Sequence, residues 1–211
     1  MFDQRHPTVI VVAGTSSDIG KTSLACELLA SLQGWEAIKL TRGHYRSCGK
    51  NAEACCVSHL LGSEPKVYSE PEATRVSGKD TDRFWAAGAS AVHWVVAKSD
   101  QVEKGMCEAL SRVRAVGVVI EGTSVLKFIK PAFSILVASA SRSDVKPSAR
   151  QALESGRVDA IYFTDGNDLG EAPILRLVPH VRPPLFTQSN RDDLLATAIA
   201  SVGAVPMLRQ K

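Results

Sequence analysis

The chain lacks any apolar run near the roughly 20 residues that a membrane helix needs, so no membrane partner is expected. It also lacks a surplus of one charge. Its 25 Lys and Arg stand against 22 Asp and Glu, and a net charge of +3 over 211 residues is too small to argue for a nucleic-acid partner. Cysteine occurs five times but never as Cys-x-x-Cys. No repeat, low-complexity tract or linker interrupts the chain, which predicts one α/β domain over residues 1–211.

What the chain does have is a loop between a strand and a helix. Thr8-Val9-Ile10-Val11-Val12-Ala13 is apolar and β-branched, as a buried strand requires. Gly14-Thr15-Ser16-Ser17-Asp18-Ile19-Gly20-Lys21-Thr22-Ser23 follows, and a helical pattern runs from Ser23 to Ala30. These are the parts of a phosphate-binding loop. Glycines let backbone N–H groups converge, and the helix N-terminus adds positive potential. Lys21 would neutralise the outer phosphates, and the Thr22 hydroxyl would ligate Mg2+. The common pattern puts four residues between its first glycine and Gly-Lys. Here that position is Thr15, and the glycine stands one residue earlier. Met1 to Thr8 is polar and short, so no secretory signal is expected. With a nucleotide site and free cysteines, this predicts a reducing, cytoplasmic setting without structural disulfides.

Strands and helices alternate along the rest. Strands are expected at Trp35–Leu40, Ala91–Val96, Val116–Ile120, Phe133–Val137, Ala160–Phe163 and Ile174–Val178. Helices are expected at Asn51–Leu61, Asp80–Gly88, from Asp100 to about Arg114, Pro147–Ser155 and Asn190–Ser201. Asp100 and Glu103 have the spacing of a capping box. Residues 41–79 read as an irregular, basic and cysteine-rich excursion. The alternation predicts a three-layer α/β/α fold with a mostly parallel central sheet, and ligands at the carboxyl ends of its strands.

Two acidic residues are candidate partners of the loop. Glu121 follows Val118-Val119-Ile120, where a carboxylate reads as meeting a metal or its water; the alternative is a solvated loop glutamate. Asp80, in Gly78-Lys79-Asp80-Thr81-Asp82-Arg83, reads equally as a Mg2+ ligand and as a helix N-cap.

Residues 14–22 resemble the loop of dethiobiotin synthetase and of the cobyrinic and cobyric acid amide synthases. That branch lacks the extra early lysine of related partitioning ATPases, and so does this chain. Gly78-Lys79-Asp80-Thr81, Ala87-Gly88-Ala89 before a strand, and Val119-Ile120-Glu121-Gly122 resemble the molybdopterin-guanine dinucleotide biosynthesis protein B family. Dethiobiotin synthetase holds magnesium with its loop threonine, an aspartate after the second strand and a glutamate in a Val-Glu-Gly turn. The resemblance therefore implies Thr22, Asp80 and Glu121 as the Mg2+ ligands, with Lys21 and Glu121 catalytic. It also matches Lys39 to a lysine facing substrate and phosphate. It implies a P-loop NTPase serving cofactor biosynthesis, whose partner is an anionic small molecule or a cofactor-biosynthesis enzyme. A homodimer is compatible with it. The rival enzyme is an ATP-dependent ligase or kinase acting on a carboxylate.

Lys39-Leu40-Thr41-Arg42-Gly43-His44-Tyr45-Arg46-Ser47-Cys48-Gly49-Lys50 has no acid. It is either a solvated face or, at the loop end of the sheet, an anion site in which Lys39 and Arg42 act. Cys48, Cys55, Cys56 and His59 follow. On a helix Cys55 and His59 share a face, so Zn or Fe ligation, and with it a nucleotide-gated metal or redox module, stands beside simple burial of the thiols. Thr164-Asp165-Gly166-Asn167-Asp168 is a polar turn or a base contact. No Asn-Lys-x-Asp motif is present, which leaves ATP or GTP.

Overall fold

A computed structural model describes residues 6–44, 57–166, 169, 172–177 and 183–203. Its first strand, β1 (Thr8–Gly14), is apolar at nearly every position, so both of its faces must be covered. Val11 and Ala13 lie in one core and Ile10 and Val12 in the other. The remaining elements are α1 (Lys21–Ser31), β2 (Glu36–Arg42), β3 (Lys66–Tyr68), α2 (Pro71–Thr74), α3 (Asp80–Ala86) and β4 (Val92–Ala97). They continue with α4 (Val102–Arg112), β5 (Gly117–Glu121), β6 (Phe133–Ala138), α5 (Pro147–Glu154), β7 (Ala160–Phe163), β8 (Leu185–Phe186) and α6 (Arg191–Gly203).

Among the described residues the strands form one eight-stranded sheet in the order β3-β4-β2-β5-β1-β6-β7-β8. Every pairing is parallel except the edge pair β3–β4. Residues of α4 and α5 pack into the core with Val11, and those of α1, α3 and α6 into the core with Ile10. This is the expected three-layer α/β/α fold with a mostly parallel sheet. No helix among the described residues is long and apolar enough to cross a membrane.

Several local expectations are corrected. The described part of the 41–79 region is more regular than expected: β2 continues to Arg42, and β3 and α2 follow at Lys66–Tyr68 and Pro71–Thr74. Within the expected helix 51–61, the described part is one 3-10 turn, Ser58–Leu60, after which Leu61 is extended. Asp80 is the first residue of α3 rather than its cap; Lys79 holds the cap position without a side-chain bond. Asp100 does not cap α4. Gln101 is the N-cap residue, and its amide donates to Gly62 O and Ser63 O instead. The expected strand at Ile174 is a 3-10 segment, Pro173–Leu177. Its apolar side chains Ile174 and Leu175 still reach the core, which is why the run looked like a strand.

Candidate functional site

Parallel strands end on one edge of the sheet, and the candidate residues collect there. The loop leaves β1 at Gly14. It turns through left-handed backbone at Asp18 (φ 54°) and Gly20 (φ 91°), and α1 starts at Lys21. Such changes of hand converge N–H groups, and an L side chain tolerates them poorly except on short polar residues. Thr123 fixes the end of β1: its hydroxyl accepts from Gly14 N at 2.9 Å and donates to Gly14 O at 3.0 Å. Thr15 N donates to Val137 O, and Lys146 N donates to Thr15 O. The loop is therefore held from both neighbouring strands.

Lys21 folds back over its own loop, and its ammonium donates to Ser16 O at 2.8 Å. Burial pushes it down to about 8, with Glu121 pulling the other way. Thr22 is buried, and its hydroxyl donates to Glu121 Oε2 at 2.8 Å. Glu121 is 4% exposed at the end of β5, which excludes the solvated-loop alternative. The other Glu121 oxygen, Oε1, takes the Lys39 ammonium at 2.5 Å, and Asp80 Oδ2 takes the same ammonium at 2.6 Å. Register explains the first contact, because Lys39 and Glu121 are direct cross-strand neighbours of β2 and β5. The first turn of α3 supplies the second. Burial raises the Asp80 carboxyl, but the Lys39 hydrogen bond and charge, with the Thr22 hydroxyl, leave it below its usual range.

Thr22, Asp80, Glu121 and Lys39 are thus brought together. Arg42 is not in that cluster. It is exposed at the end of β2, on the wall of the same cleft. The cleft holds about 1100 Å³ and runs from the loop past Lys39 to His44, His59 and Trp94. A smaller pocket of about 320 Å³ opens on the other side of Gly20, between Asp18, Arg142 and Asp165. Asp165 is committed to the turn after β6, accepting from Ala140 N and from the Ser139 and Ser141 hydroxyls.

Cys48, Cys55 and Cys56 lie outside the described residues. His59 is described, exposed on the 3-10 turn. Among the described residues no group of three His, Cys, Asp or Glu is placed to hold a metal. Zinc or iron ligation therefore has no support, and Cys26 and Cys107 are free thiols.

Two residues of the site escaped the sequence reading. Lys146, just before the proline that opens α5, donates to the Ser17 hydroxyl at 2.9 Å. A lysine between a strand end and a proline-started helix was the available signal. Arg83 of α3 donates to the Ser23 hydroxyl at 3.0 Å, which ties that helix to α1.

No protein-family model and no curated protein matches the chain. Solved structures do. A structure of LpxK from Aquifex aeolicus in complex with ATP is 20% identical, with a TM-score of 0.46, over 86% of this chain and 53% of that one. A ParA family ATPase from Chlorobium tepidum TLS is 10% identical, with a TM-score of 0.41, over 95% and 93%. Signal recognition particle receptor FtsY from Elizabethkingia anophelis is 15% identical, with a TM-score of 0.41, over 86% and 58%. The chain thus spans little more than half of the LpxK and FtsY chains. All three likenesses are distant.

Proposed function

We propose that this chain binds a nucleoside triphosphate with Mg2+ at the β1–α1 loop and hydrolyses it. The observation that carries the reading is the convergence of Lys21, Thr22, Asp80 and Glu121 on the end of the sheet where the loop meets α1. Loop N–H groups and the start of α1 would cradle the phosphates, and Lys21 would leave Ser16 O to neutralise them. A hydroxyl and two carboxylates are hard oxygen donors. They suit Mg2+, which is held by few protein groups and completes its shell with phosphate and water. When bound, the ion would spread the charge of the transferring phosphoryl group. Lys21 and Lys146 would meet that charge from the protein side, and Glu121 would orient the Thr22 hydroxyl. The resemblance to cofactor-biosynthesis proteins supports an accessory NTPase role in cofactor assembly.

A second reading is phosphoryl transfer or ATP-dependent ligation to an anionic acceptor. The size of the cleft favours it, since the space extends past Lys39 to Arg42 and His44. Phosphate release without any added small molecule supports hydrolysis, and strict dependence on a carboxylate supports transfer.

Calorimetry with a non-hydrolysable triphosphate, with and without Mg2+, tests the shared core of both readings. Lys21→Ala should abolish detectable binding and leave the fold intact, because the Lys21 ammonium supports no core. Equal affinity in the two proteins would refute the assignment.

A further inference from the structure

Lys39 stands where this reading has no use for a lysine. Its side chain is 14% exposed, and its ammonium binds one oxygen of each candidate metal-ligating carboxylate. Glu121 is fully engaged, with Oε1 on Lys39 and Oε2 on the Thr22 hydroxyl. Asp80 reaches the same ammonium from another element, 41 residues along the chain. One cation shared by two convergent carboxylates, with a hydroxyl alongside, repeats the charge pattern of a divalent-metal site.

We propose that Lys39 is a built-in stand-in for the divalent cation, which lets metal in only when a triphosphate carries it. This rests on the phosphate-loop reading. A bare Mg2+ would have to shed water, to which it clings, and displace an ammonium already paired twice. Its net gain would be a single charge. Metal arriving on a triphosphate brings phosphate ligands and several negative charges, and these take over the displaced ammonium. Lys39 is thus a positioning residue. It neutralises the carboxylate pair in the free protein, and it makes metal and nucleotide binding mutually dependent.

Protein-bound Mn2+, measured by equilibrium dialysis and elemental analysis against a protein-free chamber holding the same nucleotide, tests this on the full chain. Wild type should take up Mn2+ only together with AMP-PNP or GMP-PNP. Lys39→Met should bind Mn2+ without nucleotide, about tenfold tighter than wild type or more, since a neutralising charge within contact distance is gone. A purely structural lysine would do the reverse, because its loss loosens the site and weakens metal binding. Lys39→Gln is the second variant, in case methionine leaves Glu121 too exposed to repulsion for folding; its amide still donates to one carboxylate. Tight Mn2+ uptake by wild type alone overturns the proposal, as does unchanged Mn2+ affinity in a folded variant. Both leave the phosphate-loop reading in place. Failure of wild type to take up Mn2+ even with either triphosphate analogue refutes that reading, and the stand-in falls with it.

Discussion

The stem of Lys21 lies across the end of β1. Its Cδ and Cγ stand 2.7 and 2.9 Å from where a Cβ on Gly14 would be. That contact gives a physical reason for the unusual spacing of the loop, in which Gly14 and not residue 15 lacks a side chain. Thr15 and Ser16 are buried, so the chain is already inside the loop by then. Gly14→Ala should therefore act on Lys21 more than on the strand. An overpacked methyl costs about 1–3 kcal/mol. Spent on the seating of Lys21, it lowers triphosphate affinity by roughly tenfold. Calorimetry and thermal melting of the variant separate the two effects. A lower melting temperature with unchanged affinity would show that the strand takes the strain and Lys21 does not.

At the scale of elements, the turn after β6 is held to the turn after β7 by one side chain. Asp165 Oδ1 accepts from Ala140 N at 2.7 Å, while Oδ2 accepts from the Ser139 and Ser141 hydroxyls at 2.7 and 2.8 Å. Burial raises its carboxyl, but these donors outweigh burial and hold it below the usual value. The folded state thus binds fewer protons than the unfolded one. Its contribution is whole above about pH 4, near the unfolded value, and is lost as pH falls through the depressed folded value. Asp165→Asn should lower the melting temperature at neutral pH, and the gap to wild type should narrow below about pH 4. A gap that stays constant with pH would show that the hydrogen bonds do not depend on ionisation. The polar turn itself was legible in the sequence, but its partners were not, because they come from a different strand end.

The same limit explains what else escaped at this scale. β1, β5, β6 and β7 are nearly all apolar and could be read at once, and so could the loop between β1 and α1. β3 is three residues long, polar in part, and antiparallel at an edge, so nothing in Lys66-Val67-Tyr68 distinguishes it from a loop. Asp80 was visible as a candidate ligand or cap. That it would meet Lys39 depends on how α3 docks beside β2, which no local pattern encodes.

Across the whole molecule the sheet has two unlike ends. The carboxyl ends of the strands carry the cleft and, at its wall, the ion-paired Lys39, Asp80 and Glu121. The opposite end carries a closed polar network built to hold the fold. Glu36, the first residue of β2, is 4% exposed. Its Oε1 accepts from Arg114 N and Ala115 N, both at 2.8 Å, and its Oε2 meets His93 Nε2 at 2.9 Å. His93 Nδ1 lies 2.8 Å from the Ser69 hydroxyl, which also accepts from Arg112 at 3.0 Å. The tautomer consistent with these contacts carries its proton on Nε2, donating to Glu36, and accepts the Ser69 proton on Nδ1. One carboxylate thus joins the start of β2, β4 and the turn into β5. A charged residue at a strand start reads as solvent-facing, so this role left no trace in the sequence. Glu36→Ala would leave two backbone N–H groups and a histidine N–H without an acceptor inside the protein. The expected cost is about 3 kcal/mol, or a fall in melting temperature of roughly 6–12 °C for a chain of this size. None of these side chains lines the cleft. The affinity for Mg2+-triphosphate should therefore stay within about twofold of wild type at a temperature where the variant is folded. Melting curves and calorimetry on the same preparation check both halves. An unchanged melting temperature would mean that water replaces the lost acceptor. A folded variant that no longer binds nucleotide would mean that the two ends of the sheet are coupled through β2 and Lys39.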